Sequence, residues 1–136
     1  MSRKKILFLC SHNAARSPMA AALVNSLLGE SYEAVSAGSS PRPLRPEAVQ
    51  VMKELGIDIT GHRPTSIKDL GDERFDFLVT LCPDTEEMCP FYPGAREVMH
   101  HGVNDPPGID GDERARLSAY RAMRDDIRGF IESTFA

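Results

Sequence analysis

Along the chain, short unbroken apolar runs alternate with longer stretches whose apolar residues recur every three or four positions. Residues 5–9 read Lys-Ile-Leu-Phe-Leu. The absence of alternation with polar residues is the pattern of a strand covered on both faces. Residues 18–28 are rich in helix formers. Pro18 suits the first helical turn, Ser17 stands at the expected cap, and Gly29 marks the stop. A second strand is expected over 32–37, followed by a Pro-rich loop over 39–46 and a helix over 47–55. Val49, Met52 and Leu55 form the expected inner face of that helix, and Gly56 its end. A short helix is expected over 66–70, a strand over 75–81 and a fourth strand over 97–101. The last helix, 112–135, carries Tyr120, Met123, Ile127, Phe130 and Ile131 at three- and four-residue steps.

Strands that alternate with helices make βαβ units with right-handed crossovers. The expectation is an α/β protein, a three-layer structure with a four-stranded parallel sheet and helices on both faces. The 136 residues suffice for a single domain, 1–136, with its own core. There is no internal repeat. In such sheets ligands bind at the carboxyl ends of the strands. Cys10 and Cys82 each stand just past the end of an expected strand.

Charge narrows the partners. Sixteen Lys and Arg against twenty Asp and Glu give a net charge of −4, which weighs against a nucleic-acid or anionic-membrane surface. No apolar run approaches the ~20 residues of a membrane span. The basic start, Met1-Ser-Arg-Lys-Lys, is followed by only five apolar residues, Ile6 to Cys10, too few for a secretion signal. A cytoplasmic location is therefore expected. The three cysteines, Cys10, Cys82 and Cys89, are an odd number and match no common zinc spacing; no metal site and no cofactor are expected.

The segment from Cys10 to Ser17 reads Cys-Ser-His-Asn-Ala-Ala-Arg-Ser, a C-x5-R-S motif between a strand and a helix. A loop that enters a helix N-terminus turns several backbone N–H groups inward, and the helix dipole adds positive potential. A tetrahedral oxyanion fits such a nest. Ser11, His12, Asn13, Ala14 and Ala15 would supply mainly backbone donors, and Arg16 would grip two oxygens. Ala14 and Ala15 let the loop curl tightly, and Asn13 tolerates a left-handed backbone. The same field favours Cys10 as an anionic nucleophile, with the Ser17 hydroxyl as a further donor to its sulfur.

At these residues the chain resembles the low-molecular-weight tyrosine phosphatase superfamily, whose C-x5-R-S loop lies between the first strand and the first helix. Asn104-Asp105-Pro106 looks like the family's acid loop, in which an Asp before Pro protonates the leaving group. One branch matches better, the thioredoxin-coupled arsenate reductases. These carry two further cysteines after the third strand, as Cys82 and Cys89 stand here in Val79-Thr-Leu-Cys82-Pro-Asp-Thr-Glu-Glu-Met-Cys89-Pro90. The match spans the whole chain. Ala15 stands where many relatives have another cysteine. Some relatives bind potassium through the places of Asn13 and Ser36 with acidic groups, where this chain has Ala21 and Thr65.

The resemblance implies a three-thiol relay. Cys10 attacks arsenate, and Asp105 protonates the departing hydroxide. Cys82 then attacks Cys10, releasing arsenite and leaving a Cys10–Cys82 disulfide. Cys89 attacks Cys82, giving a Cys82–Cys89 disulfide, which thioredoxin reduces. Phosphate or sulfate would bind as substrate analogues. A disulfide needs Cα atoms within about 7 Å, whereas seven helical steps from Cys82 to Cys89 span about 10 Å. Oxidation is thus expected to reorganise 82–93. Three alternatives remain at this point. A phosphatase of the same fold would use Cys10, Arg16 and Asp105 alone. A redox sensor or oxyanion-binding regulator would bind without turnover. Some relatives use glutaredoxin and glutathione in place of thioredoxin.

Overall fold

A computed structural model describes residues 3–83, 91–103 and 112–136. Within them run β1 (Lys4–Cys10), α1 (Arg16–Leu27), β2 (Tyr32–Gly38), α2 (Pro46–Lys53), a 3₁₀ turn (Ile67–Leu70), β3 (Phe75–Thr80), β4 (Ala95–His100) and α3 (Glu113–Phe135). The four strands form one sheet in the order β2-β1-β3-β4, every pair parallel. Cys10, Thr80 and His100 thus end their strands on the same edge of the sheet.

The unbroken apolar run of β1 serves two cores, because successive side chains of a strand point to opposite faces. Ile6, Phe8 and Cys10 pack with residues of all three α-helices, among them Met19, Leu23, Val51, Tyr120 and Ile127. Leu7 and Leu9 pack on the other face with Phe75, Leu78 and Tyr92, under Ile67 and Leu70 of the 3₁₀ turn. Ser66 caps that turn, accepting from the Lys68 amide, while the Asp69 side chain accepts from the Ser66 amide.

Two expectations change in detail. Helix α1 starts at Arg16 behind Ala15, which makes no side-chain cap; Ser17 is no cap, because its hydroxyl is held inside the loop described below. The inner face of α2 is centred on Ala48, Val51 and Met52, with Val49 and Leu55 only partly buried. Its contact with α3 sets this phase. The Arg124 guanidinium donates to the Val51 carbonyl at 2.9 Å and to Glu54, and Arg121 grips both oxygens of Glu54. The Arg121 hydrogen bonds, with those from Arg124, hold the Glu54 carboxyl at about 2. Asp112 caps α3, accepting from the Ala115 amide.

Candidate active site

The loop from Cys10 to Ser17 closes as a bowl between β1 and α1, and its curl is enforced from outside. A peptide plane points its C=O and its N–H in opposite directions. Turning the loop's amides inward therefore requires its carbonyls to find partners outside. The Ser11 carbonyl accepts from the Ser40 amide at 2.8 Å, His12 from Arg42 at 2.9 Å, and Ala14 from Arg45 at 2.9 Å. The Asn13 carbonyl accepts from the His62 ring at 3.2 Å. The Pro-rich segment thus acts as a brace. Pro41 and Pro43 have no N–H of their own, and the amides between and beside them, Ser40 and Arg42, face the loop.

Gly38 makes the close approach possible. A Cβ there would lie 2.8 Å from the carbonyl oxygens of Cys10 and Ser11 and 3.0 Å from the Asn13 nitrogen. Sequence reasoning missed both Gly38 and the brace. The signals were present: a glycine ending the second strand, and prolines leaving single amides between them.

Cys10 is buried, and its sulfur is ringed by donors. The Asn13 amide donates to Sγ at 3.3 Å, and Ser17 Oγ lies 2.9 Å from it. Asn13 adopts the left-handed backbone expected of it, with φ of 51°. Its side chain is oriented at both ends: Oδ1 accepts from the Thr65 amide, and Nδ2 donates to Ser17 Oγ, each at 2.8 Å. Ser17 Oγ thus accepts from Asn13, which leaves its own proton available to a Cys10 thiolate. Hydrogen bonds to a sulfur favour its charged form.

Arg16 is almost wholly buried at the start of α1. Its Nη1 donates to the Val103 carbonyl at 3.2 Å and the Leu81 carbonyl at 3.4 Å. These carbonyls immediately precede Asn104 and Cys82, so the guanidinium ties together the ends of the two chain segments after β3 and β4. The Leu81 amide donates to the Leu9 carbonyl at 2.8 Å, which brings Cys82 off the strand adjoining that of Cys10. Cys82 is buried and disulfide-bonded, and Cys10 is a free thiol. Cys89 and Asp105 lie outside the described residues. Among the described residues no helix is long and apolar enough to cross a membrane, and no group of three metal-ligating side chains occurs.

Behind the loop, an open cleft of about 550 Å³ lies between α1 and residues 57–65, lined by Ala21, Ser36, His62 and Thr65 among others. Ala21 and Thr65 bring no carboxylate to this cleft, and Asn13 Oδ1 accepts from the Thr65 amide. Burial lowers the pKa of His62 against the opposing pull of the Asn13 carbonyl.

A strand, a C-x5-R-S bowl and a helix in this order match a family model over residues 5–133, that of the low molecular weight phosphotyrosine protein phosphatases. The chain belongs to that family. Within the family, a protein of Halalkalibacterium halodurans named arsenate reductase is 36% identical over the whole of this chain and 97% of its own length. Among solved structures, an arsenate reductase in its phosphate-binding state superposes with a TM-score of 0.81 at 25% identity, covering 96% of this chain and 95% of that one. A thioredoxin-dependent arsenate reductase of Corynebacterium glutamicum gives 0.67 at 27% identity, over 96% of this chain and 61% of that one. The family's parallel sheet and its loop between the first strand and first helix are those found here.

Proposed function

We propose that this chain reduces arsenate to arsenite through Cys10, Cys82 and Cys89, with thioredoxin as the reductant. One observation carries the reading: Cys10 Sγ, with donors from Asn13 and Ser17, heads a bowl of inward-facing amides beside the strand that delivers Cys82. Arsenate, a near-isostere of phosphate, sits in the bowl held by the amides of residues 11–17 and by Arg16. The Cys10 thiolate forms an S–As bond, and a hydroxide leaves as water with the proton of Asp105. The Cys82 thiolate then attacks Cys10 Sγ. The S–As bond breaks with its electron pair left on arsenic, so As(V) becomes As(III) and the two sulfurs are oxidised to a disulfide. Cys89 displaces Cys10 from Cys82, and the dithiol of thioredoxin reduces the bond that results. A free Cys10 beside a disulfide-bonded Cys82 fits the state expected once the bond has moved off Cys10. The names of the full-length relatives support the substrate, and the C. glutamicum neighbour supports the reductant. The net charge of −4 weighs against a nucleic-acid or anionic-membrane partner, and the reading is of a cytoplasmic enzyme that acts in arsenic detoxification.

The test is arsenite release in the presence of thioredoxin, thioredoxin reductase and NADPH. Turnover by the wild type, its loss in Cys10→Ser and Cys82→Ser, and its loss after one cycle in Cys89→Ser are expected. Turnover that survives Cys82→Ser would overturn the relay. Hydrolysis of aryl phosphates without arsenite release would assign the bowl to phosphatase chemistry, which needs only Cys10, Arg16 and Asp105. Tight oxyanion binding with neither activity would make the chain a regulator.

A further inference from the structure

Three stretches of chain meet at the bowl: the loop itself, residues 10–18; the end of β2 with the Pro-rich brace, residues 36–46; and residues 59–66, which bring the His62 ring and the Thr65 amide to Asn13. They carry Arg16, Arg42, Arg45 and Arg63 and not one Asp or Glu. All twenty acidic residues lie elsewhere, in a chain whose net charge is −4. The fold therefore gathers positive charge from three separate places around one concavity. Two of the four guanidinium groups have partners of their own. Arg16 is buried and donates to the Leu81 and Val103 carbonyls. Arg45 lies 3.2 Å from Glu47, the first acidic residue beyond the brace. Arg42 and Arg63 are exposed, and among the described residues neither has an ion pair. Asp58, just ahead of the third stretch, accepts from the Thr60 amide and hydroxyl. Both arginines stand beside the loop through their backbone: the Arg42 amide donates to the His12 carbonyl, and Arg63 adjoins His62.

We propose that Arg42 and Arg63 steer doubly charged oxyanions to the bowl, their charges acting on the ligand through space. The inference rests on the reading of residues 10–17 as an oxyanion site but not on reduction of the oxyanion. A concavity walled by one sign of charge concentrates ligands of the other sign. Here it also offsets the repulsion that a net negative chain exerts on the same anion. At a separation on the order of 10 Å in water, a unit charge and a dianion attract enough to change occupancy roughly two- to threefold at ~0.01 M salt, where the Debye length is ~30 Å. At ~1 M salt, where that length is ~3 Å, the effect is screened away. The side chain of Arg42 can be tested apart from its backbone, because its amide braces the loop whatever side chain it bears.

The test is protection of Cys10 by inorganic phosphate against alkylation with iodoacetamide, an uncharged reagent that the field does not steer. It compares the wild type with Arg42→Gln, Arg63→Gln and the double variant, at ~0.01 M and at ~1 M salt. Arg74→Gln, just ahead of β3 at the opposite end of the sheet, is the control. At low salt the phosphate concentration for half-protection is expected to rise roughly two- to threefold in each single variant and by about the product in the double. At high salt the proteins should agree, and Arg74→Gln should match the wild type throughout. The arsenate KM should rise by the same factors at low salt, with kcat unchanged. Equal protection in all the proteins at low salt would overturn the proposal. So would a loss of the same size at both salt concentrations, which would mark a structural fault and not a field. Phosphate that fails to protect the wild type would remove the oxyanion site and the steering together. Salt-dependent protection without arsenite release would uphold the steering and sink only the proposed function.

Discussion

Ser17 Oγ stands 2.9 Å from Cys10 Sγ and 2.8 Å from Asn13 Nδ2, so one hydroxyl passes the orientation of a buried amide to a buried sulfur. Neither residue of the Cys10–Ser17 pair could set this alone. A hydroxyl rotates freely until something donates to it, and Asn13 is fixed in turn by the Thr65 amide on Oδ1.

Removing that donor tests the arrangement. Hydrogen bonds to charged groups contribute about 1.5–3 kcal/mol. Ser17→Ala is therefore expected to slow alkylation of Cys10 by roughly ten- to a hundredfold at neutral pH, with little change in far-UV circular dichroism. Asn13→Ala should do the same, since it frees the hydroxyl and removes the anchor to Thr65. An unchanged alkylation rate in Ser17→Ala would mean that the hydroxyl does not serve the sulfur.

Gly38→Ala places a methyl group 2.8 Å from two carbonyl oxygens, closer than a Cβ can stand. Either β2 or the loop has to move, and the overpacking is expected to cost about 1–3 kcal/mol. Urea unfolding should show a lower midpoint, and phosphate should protect Cys10 less. Gly56→Ala provides the contrast: no atom lies near its Cβ position, but its φ of 75° is strained for alanine. It should lower stability and leave phosphate protection intact.

His62 also gives the stability a pH dependence. Its folded pKa lies below the ordinary 6.5, chiefly through burial. Below 6.5 the unfolded chain takes up a proton that the folded chain resists, so this contribution is fully present above 6.5 and is lost as pH falls through the folded value. The urea midpoint of the wild type should fall across that window. In His62→Gln this part of the slope should vanish; an identical slope in the two proteins would show that burial does not hold the ring neutral.

The cysteine spacing predicts a rearrangement. If 82–89 is helical when reduced, its ends are too far apart to join. Amide exchange is expected to differ between the reduced and oxidised proteins across 82–93, and to match elsewhere in the sheet. Equal protection in both states would exclude a coupled reorganisation.

How much of this was legible in the sequence depends on the range over which each feature is fixed. Strand β1, helix α1 and the C-x5-R-S loop follow from neighbours in the chain: an apolar run too short for a helix, a residue able to go left-handed, and a proline in the first helical turn. Even the left-handed Asn13 could be read, because few residues other than glycine tolerate that backbone. The cap assigned to Ser17 was misread for a related reason. A serine before a helix satisfies an amide unless a buried sulfur and an amide side chain compete for it; the motif announced the sulfur, but not the Asn13 side-chain amide that donates to the same hydroxyl.

The phase of α2 failed similarly. Periodicity places an apolar stripe to within about one residue, and Val49 and Leu55 fitted it as well as Ala48 and Val51. The Arg124 and Arg121 contacts from α3 select the latter. The sequence alone thus determined the alternation of strands and helices and the place of the loop between β1 and α1, because hydrophobic period and motif spacing are local. Only the tertiary structure decided that Gly38, the proline brace, Thr65 and His62 hold the bowl open. These residues lie 25 to 52 positions from the loop residues they meet, and only the packing of β2 and the segments after it against the loop brings them to its carbonyls and to Asn13 Oδ1.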